Sequence, residues 1–254
     1  MRVVFGAGFT GSRVAELAAA RGERVVAAVR SEERSAKLQD HGFVVTRMSP
    51  VEVAERWVDA EAHAIVCFPP DGTTDAALAP HLARARAVSY VSTTGVYGDR
   101  EGVIDDLTPV MAQSSRVLEA EAMYRDIGGT VLRAPGIYGT DRGLHVRVRT
   151  GKHALPGDGL GFTSRIHVDD LAELLLASDA VRGETFVVGD REPATQREVV
   201  SWICATYGCP FPPSVPAEKV HESLRRNRRI DARRVLETLG VTLRYPTYRE
   251  GMAP

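Results

Sequence analysis

The sequence predicts an α/β fold: a doubly wound parallel sheet with a small C-terminal lobe. Three observations carry that prediction. Short, continuously apolar runs recur along the chain, as strands buried on both faces require. Stretches of helical length separate them, which makes a parallel sheet with crossover helices the natural layering. The first apolar run ends in a glycine-rich turn from which a helix opens.

In chain order, RVVF (2–5) is the first strand, residues 9–21 the first helix and ERVVAAV (23–29) the second strand. Ser31 has the side chain to cap a short helix reaching Gln39. FVVTR (43–47), AIVCF (64–68), AVSYVS (87–92), GTVLRA (129–134) and TFVVG (185–189) supply five further strands. Helical patterns cover 51–58, 75–85, 169–178 and 195–207. AQSSRVLEAEAMYRD (112–126) is an amphipathic helix with Val117, Leu118, Ala122 and Met123 on one face. Asp231 caps a final helix, ARRVLETL, that stops at Gly240. Residues 139–163 are rich in glycine, with His145, Arg147, Arg149 and Lys152 among them, and residues 209–254 are rich in proline and arginine. The expected division is a sheet domain at 1–138 and 164–190, and a small lobe at 139–163 and 191–254.

The turn after the first strand reads Gly6-Ala7-Gly8-Phe9-Thr10-Gly11. This GxGxxG follows a strand and precedes a helix, the context in which it cradles a dinucleotide. Gly6 allows the tight turn, Gly8 leaves room for the pyrophosphate, and Gly11 lets helix and strand approach. The helix N-terminus adds free N–H donors and partial positive charge. A Rossmann-type domain binding a nicotinamide dinucleotide is the expectation. The end of the second strand selects between NAD and NADP. An acid there would hold the ribose 2′-hydroxyl, but the chain offers Arg30 and Ser31, with Arg34 one turn on, which suits a 2′-phosphate. NADP is expected ahead of NAD. Phe68, Pro69 and Pro70, ending the fourth strand, are expected beneath the nicotinamide-side ribose.

Composition narrows the function classes. The chain has 254 residues, 44% hydrophobic and 26% charged, with a net charge of -1. That balance gives no global pull toward nucleic acid or anionic membrane. LRRNRR (224–229) has no interleaved aromatics, so a solvated basic face is read there rather than a nucleic-acid patch. No apolar run is long enough to span a bilayer, and a first strand at Arg2 leaves no room for a signal peptide. Three cysteines without metal or redox spacing, and histidines without metal pairing, imply no metal site and a cytoplasmic protein.

VSTTGVYGD (91–99), together with the N-terminal glycine motif, resembles the extended short-chain dehydrogenase/reductases, in the NAD-dependent epimerase/dehydratase branch. VLRAPGIYG (131–139), SRIHVDDLA (164–172) and YPTYREG (245–251) are similar to further segments of that family, so the resemblance covers almost the whole chain. It implies that Thr93 polarises a substrate oxygen, and that a Tyr with a Lys four residues later, ahead of a helical Glu, moves the proton. With Glu121 as that glutamate, the Tyr and Lys positions hold Gln113 and Val117. With Glu119, they hold Met111 and Ser115. No Tyr-x-x-x-Lys occurs anywhere in the chain. Glutamine cannot titrate, and without the lysine no nearby tyrosine has a reason to ionise at neutral pH.

Two substitutes for the proton donor present themselves: Tyr97, expected to face the cleft, and Tyr138, at its mouth. His167 is expected in a turn with Asp169 or Asp170 capping the next helix, Arg133 at a strand end, and Tyr124 in a structural role. Two readings stay open. One is an NADP-dependent oxidoreductase or epimerase-like enzyme acting on a small polar metabolite. The other is a catalytically silent NADP-binding sensor or regulatory subunit. The family often pairs through a four-helix interface that includes the 112–126 helix. A homodimer is compatible with that, and the surface of the helix does not decide it.

Overall fold

A computed structural model describes residues 1–111 and 115–254. Seven strands, β1 (Arg2–Phe5), β2 (Val25–Ala28), β3 (Val44–Thr46), β4 (His63–Val66), β5 (Ala87–Thr93), β6 (Thr130–Ala134) and β7 (Thr185–Val187), form one sheet. Its order is β7-β6-β5-β4-β1-β2-β3, and every neighbouring pair is parallel. The chain winds outward from β1 to β3, crosses back to β4, and winds the other way to β7. The crevice where the direction reverses, beyond the C-terminal ends of β1 and β4, is where such sheets bind ligands.

Side-chain alternation divides the core between the two faces. Val4, Ala27, Ile65, Leu132 and Phe186 pack with α1 (Phe9–Ala20) and α7 (Val168–Ala177). Val3, Phe5, Val26, Val66, Tyr90 and Val131 pack with α3 (Pro50–Trp57), α4 (Thr73–Leu82) and α5 (Ser115–Asp126). Each such Val, Leu, Ile or Phe, removed fully from water, contributes about 1.5–3 kcal/mol. Ser31 caps α2 (Glu32–Leu38) by accepting from the Arg34 amide. The inward stripe of α5 differs from the expected one: it carries Ala120, Glu121 and Tyr124, while Ala122 and Met123 are only half-buried. Two of those three positions are polar, and Tyr124 is satisfied by donating to Asp75 at 2.8 Å.

One edge of the sheet holds a polar chain that fixes a tautomer. Ser178 donates to the Leu175 carbonyl at 2.8 Å, so the proton between Ser178 and Ser89 (2.6 Å) belongs to Ser89. Ser89 must then accept from His63 Nε2 at 2.7 Å. Nδ1 is left as the acceptor for the Arg2 guanidinium. His63 is wholly buried, and burial, with Arg2 beside it, pushes its pKa down to about 3.

The lobe is built from short ladders. Gly136–Tyr138 runs parallel to Arg165–His167, and Phe162–Thr163 antiparallel to Ala194–Thr195. Leu155–Pro156 pairs with Ser214–Val215, and Gly102–Ile104 with Arg228–Ile230. Val148 of α6 (Leu144–Arg149) meets Val199, Val200 and Ile203 of α8 (Gln196–Tyr207) in a separate small core. The expected lobe at 191–254 is too generous. Val235 and Leu236 of α9 (Arg233–Leu239) pack in the core of the main sheet with Phe186. Nor is α9 the last helix: its N-cap position is Ala232, and Asp231 one residue earlier accepts the amide of Arg233, the first residue of the helix, at 3.2 Å. The chain ends in α10 (Tyr248–Gly251), which Thr247 and Glu250 cap reciprocally. Among the described residues no helix is long and apolar enough to cross a membrane.

Candidate functional site

The glycine turn is shaped by three different constraints. Gly6 has φ +85°, and a Cβ on it would lie 3.0 Å from both the Phe68 amide nitrogen and Cβ, so the end of β4 closes over it. A Cβ on Gly11 would stand 2.4 Å from the Gly6 carbonyl oxygen, which requires glycine where α1 meets β1. At Gly8 the added atom would meet nothing nearer than 4.0 Å. That glycine is not required by the protein's own packing, and the space beside it suits a diphosphate. The Gly6 and Ala7 amides donate to Ala28 and the Ser12 amide to Gly8. Among the described residues the amides of Phe9, Thr10 and Gly11 have no acceptor, leaving three donors at the start of α1. These residues fit a dinucleotide.

At the end of β2, Arg30 is exposed and Arg34 half-buried. Neither guanidinium has a hydrogen bond or ion pair among the described residues, whereas Lys37 and Arg47 nearby are paired with Glu33 and Glu32. Ser31 Oγ accepts the Arg34 amide at 3.3 Å and keeps its own proton to donate. Phe68 and Pro70 are half-buried and Pro69 is exposed.

Beyond the ends of β5 and β6 lies a cavity of about 680 Å³ between sheet and lobe. Thr93 lines it and is exposed. Its Oγ1 accepts the Gly95 amide at 3.0 Å, so the hydroxyl proton is free to point at a ligand oxygen.

Tyr97 does not face this cavity. Thr94–Tyr97 is one turn of 3-10 helix, which carries Tyr97 inward to complete burial. Its hydroxyl accepts from Arg133 at 3.0 Å and donates to the Asp105 carbonyl at 3.4 Å. Burial raises its pKa, with Arg133 pulling the other way. Tyr138 lines the cavity with its ring, but its hydroxyl is sealed away without a partner, close against Gly251. Burial, with Asp190 nearby, pushes that phenol far above its ordinary range. Neither tyrosine is placed to release a proton into the cavity.

Arg133 forms a two-pronged ion pair with Glu121, at 2.7 and 3.0 Å, and Ser92 donates to the same carboxylate. Gln113 lies outside the described residues. Val117 packs half-buried against the core, and Met111 is held by its amide on the Val96 carbonyl. The helix-capping expectation at 167–170 is corrected. His167 is itself the N-cap of α7, its Nδ1 accepting the Asp169 amide at 3.2 Å while its ring lies against Tyr245, centroids 3.8 Å apart and planes tilted by 40°. Burial pushes its pKa down to about 4. Asp169 instead pairs with Arg13 of α1 at 2.6 Å, and Asp170 accepts the Arg244 and Tyr245 amides.

The sequence reading missed Arg226 and Arg228, which it took for part of a solvated face. Both line the cavity. Arg228 is buried and donates to the carbonyls of Thr94, Gly98 and Arg100, strapping the turn after Thr93 to the lobe. No local signal marked it: burial alternates along Arg228–Ile230 because the chain there is a strand, and its partners are distant in sequence.

The parallel sheet, the glycine turn at its switch point and the cavity beyond β5 define a Rossmann-type protein with a small lobe beside the sheet. More particularly, the fold is shared with solved proteins described as epimerases or NAD-dependent epimerase/dehydratases. A functionally unknown conserved protein from Silicibacter pomeroyi DSS superimposes with a TM-score of 0.83 at 29% identity, covering 98% of this chain and 95% of that one. MoeE5, solved with UDP-glucose and NAD, gives 0.81 at 20% identity over 98% and 95% of the two chains. The human epimerase family protein SDR39U1, solved with NADPH, gives 0.72 at 18% identity over 99% and 97%. In sequence, the chain is 37% identical over 109 residues to a 3-diazoavenalumate denitrifying reductase from Streptomyces sp. That alignment covers 39% of this chain and only 35% of the relative. No family model matches the chain.

Proposed function

We propose that the protein is an NADP-dependent oxidoreductase or epimerase-like enzyme that handles a small polar metabolite without the usual Tyr/Lys pair. One observation carries this reading: the glycine turn with its three free amides opens on the same sheet edge as the cavity that exposes Thr93. Solved relatives of the same fold hold NAD or NADPH, and a partial sequence relative is a reductase. Gly8 and the amides of residues 9–11 hold the diphosphate, and Arg30, Ser31 and Arg34 meet the 2′-phosphate. A bound nicotinamide supplies hydride donation or acceptance. Thr93 donates to the substrate oxygen and orients it. With both tyrosine hydroxyls sealed, the proton reaches that oxygen through Thr93 and solvent in the cavity. Hydride transfer needs positioning above all, so a weak proton source supports a slow reaction.

The second reading, a catalytically silent NADP-binding sensor, is favoured by the burial of Tyr97 against Arg133 and by the missing lysine. Titration of the purified chain with NADPH and NADH tests what both readings share. Retention of neither nucleotide at millimolar concentration sinks both. A nicotinamide edge walled off by apolar side chains in a cofactor-bound structure favours the sensor.

A further inference from the structure

The cavity beyond β5 has an unbalanced lining. Arg142, Arg147, Arg165, Arg226 and Arg228 all contribute to it, against a single acid, Asp141. Guanidiniums gathered in one concave site repel one another unless something neutralises them. Two are occupied within the protein, Arg228 by three carbonyls and Arg226 by an outlying Glu222 at 3.3 Å. Arg142 and Arg147 are not. The Arg147 guanidinium has no hydrogen bond or ion pair among the described residues, and desolvation alone lowers its pKa. Arg142 has no acid either, only the ring face of Phe9 at 4.7 Å. Arg165 is almost wholly buried, with Nη1 lacking an acceptor and Asp190 standing off at 3.9 Å. Asp190 is the counter-charge of Arg165, so the guanidiniums of the lining left for an anion are those of Arg142 and Arg147.

The same lining bears on what else the ligand carries. Among the described residues two aromatic rings reach it. Tyr138 is buried edge-on between His145 and His167, and Phe162 has Arg229 stacked at 3.7 Å. Neither offers an open platform on which a nucleobase could stack.

We infer that the cavity binds an anionic metabolite without a nucleobase, a small acid whose carboxylate or phosphate is held by Arg142 and Arg147 of one segment of the lobe, with Arg226 of another exchanging its exposed partner Glu222 for the ligand. This deepens the functional reading above by naming the substrate class, and rests on it for the chemistry at Thr93. It sets the chain apart from the fold relative that holds UDP-glucose.

The test is calorimetric titration of the full chain with three probes: malonate, inorganic phosphate and UDP-glucose, at matched ionic strength. Malonate and phosphate separate a carboxylate from a phosphate preference. The expected result is saturable binding of at least one of them, weakened about tenfold or more in Arg147→Gln and largely restored in Arg147→Lys. Arg147 is exposed, so its replacement leaves the fold intact, which circular dichroism verifies. Absence of binding by both small anions, equal affinity in Arg147→Gln, or tighter binding of UDP-glucose than of either would overturn the inference. NADPH affinity is measured in parallel. Its absence with anion binding intact refutes the functional reading alone, whereas its presence without anion binding refutes this inference alone.

Discussion

Arg133 and Glu121 meet in the protein interior, with Nη2 to Oε2 at 2.7 Å and side-chain exposures of 6% and 0%. The pair ties β6 to α5, and Arg133 passes the contact on to Tyr97. Removing one partner leaves the other charged and buried, which costs roughly 3–5 kcal/mol. Glu121→Gln should therefore lower the urea midpoint sharply. Glu121→Leu combined with Arg133→Met should recover most of the loss, because apolar replacement of both partners leaves no stranded charge. A single variant as stable as wild type would show that the pair contributes nothing.

The fold was legible because burial on two faces writes itself into composition: all seven strands of the sheet stand out as apolar runs, and their ends agree within a residue or two. The glycine turn was legible because its spacing is local. What escaped was whatever depends on direction. Tyr97 looks cleft-facing if the chain after Thr93 is taken as extended, but a turn of 3-10 helix rotates it inward. Glu121 looks like a surface residue of α5 until Arg133, arriving from a strand, gives it a partner. Arg226 and Arg228 look like a solvated run because their neighbours are distant in sequence: Arg228 reaches the Thr94 carbonyl.

The glycine turn separates folding from binding. A methyl at Gly11 collides with the Gly6 carbonyl, while one at Gly8 enters open space. Gly11→Ala should lose both stability and nucleotide. Gly8→Ala should unfold within about 1 kcal/mol of wild type, the usual range for a substitution without a clash, yet lose NADPH affinity about tenfold or more as its methyl enters the pyrophosphate's place. Thermal melts with and without NADPH distinguish the two. Undiminished NADPH affinity in Gly8→Ala would move the cofactor elsewhere.

The proposed preference for a 2′-phosphate rests on Arg30 and Arg34, whose guanidiniums make no hydrogen bond or ion pair among the described residues, although Asp71 and Glu33 lie near enough to interact with them. Arg30→Asp places a carboxylate against that phosphate and offers an acceptor to a ribose hydroxyl. NADPH affinity should fall about tenfold or more and NADH affinity should hold or rise. Fluorescence titration of both nucleotides reads this directly. An unchanged affinity ratio would release Arg30 from the assignment.

Arg228 holds three carbonyls of the turn that follows Thr93, a geometry that matches a planar guanidinium and exceeds what one ammonium reaches. Burial, with Arg226 close by, pulls its pKa down to about 10, still well above neutrality, so it remains charged in use. Arg228→Lys should leave some of those carbonyls unpaired at a cost of about 1–3 kcal/mol. It should also loosen residues 94–100, seen as faster proteolysis of that turn relative to the rest of the chain. Uniform protection would mean that the strap is not what orders it.

Acid should act through His63. Its folded pKa, about 3, lies below the ordinary 6.5 because burial and Arg2 disfavour the cation. The contribution is therefore complete above about pH 6.5, where folded and unfolded chains both hold the neutral ring, and is lost as pH falls through that value toward 3. By about pH 5 the loss from this one group is on the order of 2 kcal/mol. His153 and His167, both pushed by burial to about 4, act in the same direction. Asp190, raised by burial to about 7, acts oppositely, favouring the folded state as pH falls below that value. The total profile mixes these signs, so the test is a difference. Urea midpoints at about pH 5 and about pH 7.5 are compared between wild type and His63→Gln, which retains a donor toward Ser89 but cannot titrate. The variant should be less stable at the higher pH, where the wild-type ring is already in its required form, and should lose less on acidification. If both proteins lose equal stability on acidification, the proton is being taken up somewhere other than the ring between Arg2 and Ser89.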